Sequence, residues 1–184
     1  ASIPLRLAAA NAATEMGDFD RALAALAEAE KIAEFGEQQT SLPFVWFNRG
    51  VVHERKKDYE AAEKWLRKTI EAQPKHHPAM NYLSYTWADR GVNLKEALEM
   101  IEKALELEPD NTAYMDTLGW TYFRMGRYNE ALAEIDRALK TDPNEPEILQ
   151  HRGDILEKLG RSAEAREAWE KALKLDPGRS AEIL

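Results

Sequence analysis

The chain has 184 residues, 44% of them apolar but only 9% aromatic, with 32% charged and a net charge of −8 at neutral pH. Ala, Leu, Glu, Lys and Arg are abundant, which is a helix-forming composition, and the acidic balance argues against a general nucleic-acid binder. With no cysteine, disulfide and thiolate chemistry are excluded while cytosol and envelope both stay open, and no apolar run approaches the roughly 18 to 20 residues of a membrane span.

The opening "ASIPLRLAAANAATEMGDFD" lacks a basic n-region and reads directly into a helix; without an initiator Met, a trimmed N-terminus is expected. Gly17, Phe19, Ala22, Leu26 and Ala29 mark a helix–turn–helix whose second helix is expected to continue for about two extra turns, through "EKIAEFGEQQ". Gly50, Tyr59, Ala62, Leu66 and Pro74 repeat these marks. "MNYLSYTWADRG" then leads to Ala97, Ala104 and Pro109, with one extra residue near Gly91–Val92–Asn93. In the last two copies, Gly119, Gly126, Ala131, Ala138 and Pro143 recur 34 residues on as Gly153, Gly160, Ala165, Ala172 and Pro177. Ser180 is placed to cap a further helix, of which residues 180–184 supply little more than a turn, so a segment of a longer array is expected.

Small residues at 119, 131 and 138 let helices approach, while Leu118, Tyr122 and Ile135 fill the space between them. Pro43, Pro78 and Pro146 fall at helix starts, where a missing N–H does no harm. The pattern resembles the tetratricopeptide repeat, a helix–turn–helix of 34 residues. Residues 112–145 match its motif with Leu118, Gly119, Tyr122, Ala131, Ala138 and Pro143, and depart at Met115 and Ile135. Residues 43–76 supply Trp46, Gly50 and Ala62, with His53 in place of a Tyr; residues 146–179 supply Gly153, Ala165, Trp169, Ala172 and Pro177. The resemblance implies an all-α fold, a right-handed solenoid of about five repeats at 3–42, 43–76, 77–111, 112–145 and 146–179, forming one array with a concave inner surface.

Little in the chain suggests chemistry. His76 and His77 are adjacent on an inter-repeat turn, where their side chains diverge and no metal-ligand motif accompanies them; His53 stands where the family places a packing aromatic. No phosphate loop or nucleophile elbow is present. No catalytic residue, metal or cofactor is therefore expected.

In the family, positions 2, 5, 9 and 12 of each first helix line the concave groove. By resemblance these are Phe44, Phe47, Val51 and Glu54, then Asn81, Tyr85 and Ala88, then Asp116, Trp120 and Phe123, and last Glu147, Gln150, Asp154 and Glu157, with Asn48 at a neighbouring position. The groove is expected to be aromatic in the middle and acidic towards its C-terminal end. Groove contact is favoured over core packing for Trp120, and Phe123 is balanced between the two. Chaperone-binding relatives clamp a terminal carboxylate with Lys at position 5 and Asn at 9; here Asn11 is paired with Leu7, so an acidic tail is disfavoured. Residues 43–76 carry eight basic against five acidic side chains, a basic excess expected on turns and outward faces.

The expected function is a non-enzymatic scaffold or adaptor that holds a partner peptide or protein segment. The alternatives are a self-assembling homo-oligomer and a recruiting segment of a larger enzyme. "NYLSYTWADRGVNLKEALEMIEKALELEPDN" and "YMDTLGWTYFRMGRYNEALA" resemble bacterial envelope tetratricopeptide proteins, often lipoproteins, which implies a periplasmic setting, although no lipobox or signal is visible.

Overall fold

A computed structural model describes residues 2–36 and 39–180. Among the described residues there are ten α-helices and no strand. They are α1 (Ile3–Glu15), α2 (Phe19–Phe35), α3 (Leu42–Arg55), α4 (Tyr59–Ala72), α5 (His77–Arg90), α6 (Leu94–Leu107), α7 (Thr112–Arg124), α8 (Tyr128–Thr141), α9 (Pro146–Lys158) and α10 (Ser162–Leu175). Short 3₁₀ turns occupy Gln39–Ser41 and Pro177–Arg179. The helices alternate as first and second members of helix–turn–helix repeats. They form two compact halves, Ala1–Thr86 and Trp87–Leu184, with α5 running through the join. The body of the further helix expected after Ser180, residues 181–184, lies outside the described residues.

Local chemistry sets the helix ends. Side chains of Asp18, Asp58 and Asn111 accept hydrogen bonds from the N–H groups of Arg21, Ala61 and Tyr114, satisfying otherwise orphaned donors at the starts of α2, α4 and α7. Pro4, Pro43 and Pro146 sit in the first turns of α1, α3 and α9. Each turn inside a repeat places one residue in the left-handed region: Gly17, Lys57, Gly91, Gly126 and Gly160, with φ between 62° and 78°. The residue after it returns an N–H to a carbonyl five residues back, as in Asp58 to His53 (2.8 Å) and Arg127 to Tyr122 (2.9 Å). In the third repeat the inserted residue adds a second left-handed position at Asn93, and α6 starts only at Leu94.

α2 is 17 residues long against 14 for α4. The extension is thus about one turn rather than two, because the helix ends at Gly36; residues 37 and 38 are not described.

In the N-terminal half, Ala22, Leu26, Ala29 and Ala33 of α2 meet Ala10 and Ala13 of α1 and Val45 and Val52 of α3. Close approach is built in at the glycines. A Cβ on Gly50 would lie 2.7 Å from Leu66 of α4, and one on Gly119 would lie 2.8 Å from Ile135 of α8. In the C-terminal half, Ile101, Ile135, Ile155 and Leu156 are fully enclosed. Burying each such side chain contributes about 1.5–3 kcal/mol relative to exposure.

Candidate partner-binding face

The first helices α7 and α9 bring together the densest group of expected inner-face residues. Asp116 of α7 sits opposite His151 of α9, with Oδ1 and Nδ1 2.8 Å apart and both residues buried, at 6% and 5% exposure. The indole of Trp120 stacks on the His151 ring (centroids 4.3 Å, 18°) and on Phe123 (4.7 Å, 17°), and Phe123 leans on Tyr128. The helix around them is quiet: Thr117 and Thr121 donate their hydroxyls to carbonyls one turn back, so neither needs an outside partner.

Electrostatics tie this group down. Burial disfavours the charged imidazole, but the Asp116 carboxylate outweighs it and holds the His151 value above that of an ordinary histidine, with Glu147 and Asp154 adding to the pull. Asp154 itself is pushed up by burial, opposed by the hydrogen bond it accepts from Trp169 Nε1 at 3.1 Å. Gln150 Oε1 accepts from Arg179 at 2.8 Å, and a second Arg179 nitrogen lies 3.8 Å from Glu147. Asp116, Glu147 and His151 offer ligand atoms within 4.8 Å of one another, a set of the kind that can take a divalent cation. Here Asp116 and His151 are already bonded to each other, and Glu147 shares the field of Arg179.

The expected residues of the N-terminal half are arranged differently. Phe44 is exposed, and Phe47 packs against His76 (5.1 Å) and edge-on to Tyr82 (6.1 Å). Asn48 donates to the Phe44 carbonyl at 2.7 Å. Tyr82, whose hydroxyl donates to Glu54 at 3.2 Å, has its own value pushed up to about 12, first by burial and then by the Glu54 charge. Asn81 and Tyr85 are half-buried. Among the described residues, Asn81 Oδ1 and Trp120 Nε1 are enclosed without a hydrogen-bond partner. His76 is buried, and its Nδ1 accepts from the Ala79 N–H at 3.1 Å, so it caps α5; burial, then the neighbouring His77, pushes its value down. His53 faces Asp58 at 3.1 Å.

Two features escaped the sequence reading. One is His151, which belongs to position 6 rather than to an inner-face position. The signal was present in the spacing: Asp116 and His151 are 35 residues apart, as are Phe47 and Tyr82, so position 5 of one repeat meets position 6 of the next. The other is a cluster in the N-terminal half. Glu30 of α2 accepts from Trp46 Nε1 (2.7 Å) and from Arg49, Arg49 lies 4.0 Å over Trp65, and Lys68 lies 3.9 Å over Trp46. The basic excess of residues 43–76 is thus partly absorbed by first-repeat acids, since Arg55 also pairs with Glu15 and Lys56 with Asp20.

A family model of the tetratricopeptide repeat matches residues 7–77 and 117–180. The chain belongs to the tetratricopeptide repeat family. A curated TPR repeat-containing protein of Pseudomonas aeruginosa is 40% identical over 81 residues, which are 44% of this chain and 14% of that relative; the matched stretch is a small part of the relative's length. A solved structure of MamA, residues 41 to the end, from Desulfovibrio magneticus RS-1 superposes with a TM-score of 0.75 at 19% identity, covering 97% of each chain. Another MamA crystal structure gives 0.69 at 18% identity, covering 99% of this chain and 96% of that one. These likenesses establish an all-α tetratricopeptide solenoid fold. Proteins of this family generally serve as scaffolds that bind other proteins. No described helix is long and apolar enough to cross a membrane.

Proposed function

We propose that the chain is a scaffold or adaptor that holds a segment of a partner protein on the first-helix face built around Trp120 and Phe123. The observation that carries this reading is the stack of Phe123, Trp120 and His151. It presents half-buried aromatic surface at positions where a merely solvated helix would be polar. Its polar neighbours support apolar anchoring. Asp116, Gln150 and Asp154 are each hydrogen-bonded to a side chain of this chain, so the polar groups at the C-terminal end are largely satisfied from within. Basic residues of a partner then have the exposed carboxylate of Glu157 as a contact. The inner-face residues Phe44, Phe47, Asn48, Asn81 and Tyr85 extend the same role into the N-terminal half, with residues 1–184 read as one array.

The test is a pull-down or peptide array comparing the native chain with the Trp120→Ala, Phe123→Ala double variant. Binding is expected to fall by about tenfold or more, with helical content retained by circular dichroism. Undiminished binding by a folded double variant rules the face out.

A further inference from the structure

Glu147 and His151 are four residues apart on α9, so their side chains leave the same face of the helix one turn apart. Asp116 of α7 meets that face from the preceding repeat. Among the described residues, these three form the one group of three histidine or carboxylate side chains whose ligand atoms all lie within 4.8 Å of one another. Asp116 and His151 are buried, while Glu147 is half-buried at the rim, which leaves an ion a way in. The repeat itself does not require this set. At the corresponding positions of the second and third repeats stand Phe47, Pro78 and Tyr82, which fill the same place with rings and offer neither imidazole nor carboxylate. Charge points the same way. The His151 imidazole feels the carboxylates of Asp116, Glu147 and Asp154, against Arg179 beside Glu147 and Lys158 near Asp154. With the imidazole neutral, a net negative charge remains where the ligand atoms converge.

We propose that Asp116, Glu147 and His151 bind one first-row transition dication of the zinc type, which clamps α7 to α9. Zinc takes imidazole nitrogen and carboxylate oxygen at about 2.0–2.2 Å, which sets neighbouring ligand atoms of a tetrahedron about 3.3 Å apart. Asp116 Oδ1 and His151 Nδ1 stand 2.8 Å apart, so they need to part by only about 0.5 Å to admit the ion. In the ion-free chain a proton holds these two together, and the ion takes the place of that proton. Glu147 swings in from the rim, with one carboxylate oxygen for the ion and the other towards Arg179. The Trp120 ring stacked on the imidazole fixes its plane, the kind of support that orients a ligand. Three protein ligands leave the fourth position to water. A nitrogen ligand and so few oxygens disfavour Mg²⁺ and Ca²⁺, which take six or more oxygens. The ion needs no partner protein, so this site and the partner-binding role of the aromatic face stand or fall separately.

Calorimetric titration of the chelator-treated chain with zinc chloride tests it. One ion should bind per chain, with a Kd of about 10 μM or tighter. His151→Gln and Glu147→Gln should each weaken zinc binding by about tenfold or more while helical content is retained by circular dichroism. Glu147 is half-exposed, so its replacement by the isosteric Gln keeps the test sound even where His151→Gln fails to fold. His53→Gln removes the imidazole that faces Asp58 and should leave zinc affinity unchanged. In an NMR titration, the first equivalent of zinc should move the His151 ring signals before those of the other three histidines. Undiminished binding by folded Glu147→Gln means an adventitious ion only and overturns the proposal. So does the absence of any binding up to about 1 mM zinc, or an equal affinity for Mg²⁺.

Discussion

His151 shows how one residue joins stability to pH. Its value in the folded chain lies above that of a free histidine, near 6.5. Its charged form is therefore favoured by folding. The stability this supplies is complete below about pH 6.5 and is lost as pH rises through the folded value. Denaturant midpoints measured from pH 6 to pH 9 should fall in the native chain, and the part of that fall due to this residue should vanish in His151→Gln. Removing its partner has a different signature. In Asp116→Ala, burial is opposed only by the weaker pull of Glu147 and Asp154, so the imidazole should titrate lower than in the native chain in an NMR titration. The lost buried hydrogen bond should cost about 1–3 kcal/mol. Lys57 offers a second residue-scale test, since it alone among the five turn residues adopts the left-handed region with a side chain. Lys57→Gly should raise stability by up to about 1 kcal/mol, the strain relieved being partly offset by glycine's freedom in the unfolded chain. An unchanged or lower thermal midpoint counts against this.

At the scale of elements, the repeat is a device for placing a small residue where two helices nearly touch. Gly119 shows this, because a Cβ there would meet Ile135 at 2.8 Å and the Ala131 carbonyl at 3.2 Å. Gly119→Ala should destabilise the chain by about 1–3 kcal/mol, with α7 and α8 losing hydrogen-exchange protection together. This level of organisation was legible in sequence, because Gly, Ala and Pro at fixed phase report backbone approach and helix ends directly. The inserted residue before α6 was equally visible, as a slip in phase. The inner face was less legible. Asp116 and His151 meet across two helices that no local pattern joins, and Asp154 turns to Trp169 rather than outward. The length of α2 was misjudged because its residues remain good helix formers past the point where Gly36 ends it. Composition reports propensity, whereas the stop depends on a single residue.

For the whole molecule, cohesion comes from neighbours in sequence: α1 with α2, α2 with α3, α7 with α8, α8 with α9. A chain built this way distributes its stability along its length, and helices with only one neighbour are the first to open. Native-state hydrogen exchange should therefore run fastest in α1 and α10, and slower in α3 and α8. Uniform protection from α1 through α10 contradicts this.

The 35-residue offset of the pairs that join successive repeats limits how such repeats can be rearranged. The backbone of the repeat is indifferent to order, since turns and glycines recur in the same places. The pairs are not. Phe47 meets a tyrosine ring and Asp116 a histidine. If the second and fourth repeats exchanged places, an aromatic ring would lie against a buried imidazole with no anion beside it, and a carboxylate would face a phenol. The helices would still find their seams, yet each repeat would hold its neighbour's lock with the wrong key. Sequence order here is written in these cross-repeat pairs, in side chains that the repeating motif itself leaves blank.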